Sequence, residues 1–227
     1  MVRSNFSTRV IAFDAYGTLF DVFSITARAE SYWPGQGAAL ARTWRDKQIE
    51  YTRLRSMAGP ARYKSFWQIT IDGLRFAVQS LGLAMSSAQE QGLLDQYAVL
   101  NAFPENLATL QALKARGLSL CILSNGSPEM LASAVSSANM DGLFDAVLSA
   151  ESVRRFKVDA SVYQLVCDRF SCSPPEVLMV SSNCWDVIGA HWFGFHTFWV
   201  NRSSQPLEQL DATPDYQGKS LADLLEL

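Results

Sequence analysis

The sequence predicts an α/β fold, in which a parallel sheet is covered by helices and an all-helical unit is inserted after the first strand. From about residue 100 onward, short apolar runs alternate with amphipathic segments of helical period, which is the pattern of a parallel sheet. Between about residues 20 and 100 only helical periodicity is found. We therefore expect residues 1–19 and 100–227 to form the core and residues 20–99 to form a helical cap domain.

Five short apolar runs predict the strands of the core. The first, at residues 10–13, contains two β-branched residues and ends in an aromatic one. The other four are residues 118–123, 145–149, 177–180 and 197–200. Helix signals lie between them: Pro104 is predicted as the first residue of one helix, and Ser127 and Pro128 as the N-cap and first residue of the next. A third helix is expected over residues 159–170.

Turn signals divide the predicted cap into helices. Apolar residues at helical spacing run from about residue 40 to 54, and the segment at 56–60, which contains a Gly-Pro pair, interrupts them. A second helix is expected from about residue 65 to 81, and a third is expected to begin near Ser87. This stretch is therefore predicted to contain no strand.

The composition excludes several classes of function. The chain has 227 residues, a net charge of −3 and no basic cluster, which argues against nucleic acid as a partner. No apolar run reaches the roughly 18 residues needed to cross a bilayer, and the first residues lack the apolar segment of a signal peptide. The four cysteines do not have the spacing of zinc ligands. We expect a cytoplasmic protein that does not enter a membrane.

Polar side chains follow four of the predicted strands. Because the carboxyl ends of parallel strands meet at one edge of a sheet, such side chains can converge although they are far apart in sequence. The residues are Asp14, Thr18, Ser124, Asn125, Lys157, Ser181, Asn183 and Asp186. A lone Ser-Asn-Gly segment usually marks a turn, but four such groups, one of them with a lysine, predict a reactive site at this edge.

The motifs at these strand ends resemble those of the haloacid dehalogenase (HAD) superfamily. They are FDAYGTL at residues 13–19, LSNG at 123–126 and VSSNCWD at 180–186. More narrowly, they are similar to the L-2-haloacid dehalogenases, and the similarity includes WRDKQIEYT at residues 44–52 of the helical insert. The resemblance implies a HAD-like fold with a Rossmann-like core of about five strands and a helical cap. It also implies hydrolysis of 2-haloalkanoates, often by a homodimer.

Two positions separate the sequence from the phosphatases of that superfamily. Phosphatases typically carry a second aspartate where this chain has Tyr16, and an acidic pair where this chain has Ser182 and only Asp186. Mg²⁺ prefers several carboxylate oxygens, so Asp14 and Asp186 with a lysine between them predict no metal site, and we expect no cofactor. A Mg²⁺-dependent small-molecule phosphatase and a catalytically silent binding module of the same fold are the alternatives.

The residue types predict nucleophilic catalysis by Asp14. A carboxylate oxygen attacks C2 of a short-chain L-2-haloalkanoate, expels halide and forms an ester, and water then releases a D-2-hydroxy acid with inversion at C2. By resemblance, Lys157 is the cation that favours the charged carboxylate. Thr18, Ser181 and Asn183 are expected to hold that carboxylate by hydrogen bonds.

The substrate needs hydrogen-bond donors at two ends. Ser124 and backbone N–H groups near Ala15 and Tyr16 are predicted to bind its carboxylate. The resemblance assigns the departing halide to Arg45 and Asn125, because negative charge develops there in the transition state. The aromatic rings expected to exclude water from the site are those of Tyr16, Phe66 and Trp185.

The second step needs an oriented water molecule. Asp186, paired with Lys157, is the predicted group for this, and Tyr163 is predicted to contact the lysine or the substrate carboxylate. Two positions depart from the family pattern, because Val158 stands where proline is usual and Asp46 stands where an amide is expected. The Asp46 carboxylate is able to pair with the preceding arginine and weaken its pull on halide, or to change the preferred substrate.

Overall fold

The computed structural model describes residues 8–227, which fold around one parallel sheet. The strands are β1 (Val10–Phe13), β2 (Ser119–Ser124), β3 (Ala146–Ser149), β4 (Val177–Ser181), β5 (His196–Val200) and β6 (Tyr216–Gly218). Their order across the sheet is β3-β2-β1-β4-β5-β6, and every neighbouring pair is parallel. The predicted α/β fold is confirmed, with one strand more than expected. The sequence Tyr-Gln-Gly of β6 contains no apolar run, so periodicity does not indicate this edge strand.

Helices cover the sheet and fill the stretch between β1 and β2. They are α1 (Thr26–Tyr32), α2 (Gly37–Met57), α3 (Phe66–Ser80), α4 (Ser87–Ala98), α5 (Asn106–Ala115), α6 (Pro128–Ser137), α7 (Ala160–Phe170) and α8 (Cys184–Phe193). The first four lie in the predicted helical insert, and no strand interrupts them within the described chain. No helix of residues 8–227 combines the length and apolarity needed to cross a membrane.

The start of α5 differs from the prediction. Pro104 lies in the turn before the helix, Glu105 is the N-cap, and the helix begins at Asn106. The side chain of Asn106 donates to the carbonyl of Leu19 at 2.9 Å, and the N–H of Phe103 donates to that carbonyl at 3.2 Å. These bonds tie the segment to the chain that leaves β1, which explains why helical structure starts two residues later than Pro104 predicts.

The insert leaves and rejoins the core through two adjacent chain segments. The N–H of Asp21 donates to the carbonyl of Asn101 at 2.7 Å, and an antiparallel bridge joins Phe20 to Ala102. The two connections, residues 19–21 and 101–103, therefore run side by side rather than as separate flexible linkers.

The insert also packs against the core beside β3. Phe156 is fully buried, and its ring lies 5.1 Å from that of Tyr63 and 6.5 Å from that of Phe66. The N–H of Phe156 donates to Ser56 Oγ at 2.7 Å. The helical insert thus fixes the residue that precedes Lys157.

The register of the sheet brings the predicted polar residues to one crevice. Phe13 is paired with Val180 across β1 and β4, and with Ile122 across β1 and β2. The chain moves to one side of β1 for β2 and β3 and to the other side for β4, and such a reversal opens a crevice at the carboxyl ends of the strands. Asp14, directly after β1, and Ser181, the last residue of β4, therefore lie side by side at this crevice.

Core packing at β4 can be tested with one substitution at two sites. Val180 is fully buried between neighbouring strands, whereas Val147 on β3 is 44% exposed. We expect Val180→Ala to lower the free energy of unfolding by about 2 kcal/mol, because it removes buried methyl groups and leaves a cavity. Val147→Ala should change it by less than about 0.5 kcal/mol. Urea unfolding measures both, and equal losses would contradict the packing described.

Candidate active site

Asp14 directly follows β1, and its buried carboxylate accepts hydrogen bonds from four side chains. Its Oδ2 atom accepts from Thr18 Oγ1 at 3.0 Å, Asn183 Nδ2 at 2.7 Å and Ser181 Oγ at 3.4 Å. Its Oδ1 atom accepts from Lys157 Nζ at 3.2 Å. The donors are therefore shared unequally, and Oδ1 retains more of its lone-pair capacity than Oδ2 does.

Lys157 places a buried positive charge between two carboxylates. Its Nζ atom lies 3.2 Å from Asp14 Oδ1 and 2.8 Å from Asp186 Oδ2. Burial alone would lower the pKa of Lys157, but the two aspartates outweigh it and raise that pKa. The ammonium therefore stays charged beside both carboxylates.

Asp186 lies in the first turn of α8 and is fully buried. Its Oδ1 atom accepts from the hydroxyl of Tyr163 at 2.9 Å, and its Oδ2 atom accepts from Lys157. Burial raises the pKa of Asp186, while the positive charge of Lys157 opposes the rise and the negative charge of Asp14 adds to it. Two carboxylates thus share one ammonium, and Asp186 acts on Asp14 through Lys157.

Arg45 reaches this cluster from α2 of the helical insert. Its Nη2 atom donates to the carbonyl of Tyr16 at 3.0 Å and to Asn183 Oδ1 at 3.2 Å. Asp46 is exposed, and no ion pair between it and Arg45 is found in residues 8–227. The guanidinium is therefore held at the site by core acceptors rather than by its acidic neighbour.

Aromatic rings cover the side of the site that faces the insert. The Tyr16 ring stacks on Tyr97 with centroids 5.8 Å apart and lies 5.5 Å from the ring of Phe66. Burial, together with Tyr97, raises the pKa of Tyr16 well above its usual value, so the phenol stays neutral. Trp185 lies near them, with the Arg53 guanidinium 5.1 Å from its ring centroid.

Several donors near Asp14 are placed to bind a small anion. Asn125 Oδ1 accepts from the backbone N–H of Lys157 at 2.9 Å, so the amide nitrogen of Asn125 points away from that N–H group. Ser124 is buried, and its hydroxyl oxygen accepts from the N–H of Gly126 at 3.1 Å. Among the hydrogen bonds of the described chain, none is donated by the N–H groups of residues 15 and 16.

These side chains surround a small, partly enclosed cavity. It encloses about 20 Å³, which is room for about one water molecule. The lining residues are Asp14, Tyr16, Arg45, Ile49, Thr52, Phe66, Ser124, Asn125, Asn183 and Trp185. A groove of about 720 Å³ lies beside it, and four residues line both spaces: Arg45, Ile49, Asn183 and Trp185. The cavity therefore combines a buried carboxylate, fixed donors and an aromatic cover.

A carboxylate that is oriented at a strand end and paired with a buried lysine points to a family of hydrolases. The model of the haloacid dehalogenase-like hydrolases matches residues 8–194. The chain belongs to this family. The predicted resemblance to L-2-haloacid dehalogenases is also confirmed, because a (S)-2-haloacid dehalogenase of Pseudomonas sp. (strain YL) is 44% identical over 96% of this chain and 93% of its own.

Two solved structures extend the comparison to this hydrolase's fold. The L-2-haloacid dehalogenase RSc1362 is 51% identical, with a TM-score of 0.94 over 96% of this chain and 97% of its own. The L-2-haloacid dehalogenase from Xanthobacter autotrophicus, with chloropropionic acid covalently bound, is 35% identical. Its TM-score is 0.90 over 97% of this chain and 98% of its own. Both resemble this chain along nearly its whole length.

The fold of this hydrolase brings most of the predicted site residues together. Around Asp14 it gathers Thr18, Lys157, Ser181, Asn183 and Asp186, and around the cavity it gathers Tyr16, Arg45, Phe66, Ser124, Asn125 and Trp185. Tyr163 is different, because its hydroxyl bonds Asp186 and it does not line the cavity. The predicted contact of Tyr163 with a substrate carboxylate therefore has no counterpart in this arrangement, and the ring fixes Asp186 instead.

Three residues at the site were missed by sequence reasoning. Ile49 and Thr52 follow Arg45 at helical spacings of four and seven residues, so they share its face of α2, and this signal was present in the motif at residues 44–52. Tyr97 stacks on Tyr16 from 81 positions away in the chain, and no local pattern indicates that contact.

The donor set around Asp14 does not resemble a cation site. Within residues 8–227, no group of three or more histidine, cysteine or acidic side chains is placed to hold a metal ion. The two carboxylates of the cluster are bridged by the Lys157 ammonium, whose positive charge repels a cation from the same oxygens.

The buried lysine predicts a large stability cost when one partner is removed. We expect Asp186→Asn to lower the free energy of unfolding by about 3 kcal/mol, because the buried ammonium keeps only Asp14 as a counter-charge. The matched control is Asp72→Asn, which breaks the partly exposed pair with Lys64 and should cost less than about 1 kcal/mol. Chemical denaturation of both variants measures the difference, and equal losses would refute the buried pairing.

Proposed function

We propose that this enzyme hydrolyses the carbon–halide bond of short-chain L-2-haloalkanoates and forms D-2-hydroxy acids through an ester of Asp14. The observation that carries the proposal is the oriented carboxylate of Asp14, which lines the cavity together with Tyr16, the residue that stands where phosphatases carry a second aspartate. A protein with 44% identity is named a (S)-2-haloacid dehalogenase. The Xanthobacter relative has chloropropionic acid covalently bound, which fits a covalent intermediate.

In the first step, Asp14 Oδ1 attacks C2 of the substrate from the side opposite the halogen. Oδ1 is the proposed nucleophile because, within residues 8–227, it accepts only from Lys157, whereas Oδ2 accepts from three donors. The new C–O bond forms as the carbon–halogen bond breaks, and the halide leaves with the electron pair. Attack from the opposite side inverts the configuration at C2.

The leaving halide needs positive charge or N–H groups beside it. Arg45 and Asn125 both line the cavity and are proposed to provide them. The substrate carboxylate is proposed to bind Ser124 and the backbone N–H groups of Ala15 and Tyr16. Tyr16, Phe66 and Trp185 exclude water from the nucleophile, which strengthens its charge interactions with the substrate.

In the second step, water attacks the carbonyl carbon of the ester. Oδ2 is then the carbonyl oxygen, and the donors Thr18, Ser181 and Asn183 already point at the atom where negative charge develops. The bond between that carbon and Oδ1 then breaks, and Oδ1 leaves as the hydroxyl oxygen of the D-2-hydroxy acid. The oxygen of the water takes its place in the Asp14 carboxylate, one proton of the water goes to the leaving oxygen and the other goes to solvent. Asp186 is proposed to position Lys157 during this step, because both of its carboxylate oxygens are already bonded.

We further propose that residues 20–99 form a cap that moves relative to residues 1–19 and 100–227. The cavity is too small for a haloalkanoate, and Arg45, Phe66, Ile49 and Thr52 of its lining belong to the insert. The paired connections at residues 19–21 and 101–103 are the proposed pivot. A homodimer and a cytoplasmic location are also proposed, and light scattering and cell fractionation test them.

Halide release tests the proposed activity. We expect the enzyme to liberate chloride from L-2-chloropropionate, to leave the D isomer intact, and to keep full activity in excess EDTA. Asp14→Asn should reduce turnover at least ~10³-fold because it removes the nucleophile. Asp95→Asn, a surface change on α4, should leave it unchanged. Loss of activity in EDTA would contradict the metal-independent mechanism, and release of phosphate from phosphate esters would favour the phosphatase alternative.

A single turnover in ¹⁸O-labelled water tests the ester intermediate. Because water attacks the ester carbonyl, one labelled oxygen should appear in the carboxylate of Asp14, and the first hydroxy acid released should be unlabelled. Mass spectrometry of the peptide that contains residues 10–19 measures this. Label in the product alone would show that water attacks C2 directly, and the Asp14 ester would then be excluded.

A further inference from the structure

Arg202, in the turn after β5, contacts three separate segments of the core. Its Nη1 atom donates to Ser182 Oγ at 2.6 Å, and its Nη2 atom donates to the carbonyl of Thr18 at 3.2 Å and to Glu105 Oε1 at 2.9 Å. The side chain is only 20% exposed. A single guanidinium thus joins the segments that follow β1 and β4 to the start of α5.

The plane of the guanidinium is also fixed. The Arg202 Cζ atom lies 3.8 Å from the ring centroid of Phe103, next to the segment through which the helical insert rejoins the core. The Thr18 carbonyl accepts a second bond from Asn106 Nδ2 at 3.3 Å. A ring face and three acceptors in different directions suit the planar fork of donors of arginine, which the compact ammonium of lysine does not reproduce.

Arg202 is hydrogen-bonded to Ser182 and Thr18, which are close to the donors that bond Asp14. The N–H of Ser182 donates to Thr18 Oγ1 at 2.8 Å, so the hydroxyl hydrogen of Thr18 is left for Asp14 Oδ2. The residue after Ser182 is Asn183, which provides the shortest bond to the same oxygen. A shift of either segment would move these donors away from Asp14.

We propose that Arg202 is a positioning residue for the dehalogenation reaction. It holds the segments after β1 and β4 together, so that Thr18 and Asn183 stay aimed at Asp14 Oδ2 in both chemical steps. This role rests on the proposed function, because Oδ2 matters as the ester carbonyl oxygen only if Asp14 is the nucleophile. Arg202 does not line the small cavity beside Asp14, so it touches neither substrate nor the reacting atoms in that cavity.

Steady-state kinetics on L-2-chloropropionate test the role with Arg202→Lys, Arg202→Met and Ser182→Ala. We expect both Arg202 variants to lower kcat roughly 10- to 100-fold, as misplaced groups do, and to change KM by less than about twofold, since the substrate contacts remain. The matched control is Arg116→Met, which removes a guanidinium that donates to the carbonyl of Leu225 far from the site. It should leave both constants unchanged.

Ser182→Ala keeps the experiment decisive if the Arg202 variants fold poorly. It deletes one acceptor of the guanidinium and should lower kcat severalfold with KM unchanged. In the Ser182→Ala background, Arg202→Met should reduce kcat by a smaller factor than in the wild-type chain, because the two residues share one interaction.

Amide hydrogen exchange at Ser182 gives a readout that does not depend on turnover. We expect exchange of this N–H to be faster in Arg202→Met than in Arg116→Met, because its bond to Thr18 Oγ1 is no longer held. If the wild-type enzyme released no halide, the proposed function would fail, while the exchange rates would still decide whether Arg202 holds these segments.

Three results would overturn the inference. The first is kinetic constants and exchange rates in Arg202→Met equal to those of the control. The second is wild-type kcat in Arg202→Lys, which would mean that charge alone suffices. The third is an increased KM with unchanged kcat, which would mean that Arg202 attracts anions from the adjoining groove, where it is a lining residue.

Discussion

The buried ammonium of Lys157 is the constraint on which the site depends. A charge removed from water is tolerated only when it is paired and hydrogen-bonded, so the segments that carry Asp14 and Asp186 must both converge on it. Phe156, the preceding residue, is packed between rings of the helical insert. The ion pairs of Lys157 with Asp14 and Asp186 therefore join three core segments, and they are supported from the insert.

The hydrogen bonds around Asp14 are divided unequally between its two carboxylate oxygens. Oδ1 is left with one cationic neighbour, whereas Oδ2 is surrounded by neutral donors from the segments after β1 and β4. In the proposed mechanism, an equal sharing of donors would weaken the attacking oxygen or leave the ester carbonyl oxygen with fewer donors. The uneven sharing suits a reaction in which one oxygen forms a bond to carbon and the other accepts charge later.

Local sequence patterns predicted the parts of the fold that local forces determine. The buried strands have continuous apolar runs, and the residues after them meet because parallel strands share one edge, so Asp14, Lys157 and Asn183 were found without a structure. The strand β6 and the first residue of α5 depend on tertiary hydrogen bonds, and Tyr97 meets Tyr16 only through folding of the insert. Tyr163 was predicted to contact Lys157 or the substrate carboxylate, whereas its hydroxyl donates to Asp186, a contact that depends on how α7 packs against α8.

If the proposed cap moves, substrate affinity depends on the fraction of molecules in which the site is open. In the proposed movement of the cap, a haloalkanoate binds a conformation more open than the one with about 20 Å³ beside Asp14. The apparent dissociation constant is then the intrinsic one divided by the fraction of open molecules. On this proposal, residues at the paired connections, such as Phe20 and Ala102, influence that fraction although they lie outside the cavity lining. Evolution can therefore adjust how tightly this enzyme holds its substrate without altering any group that touches it.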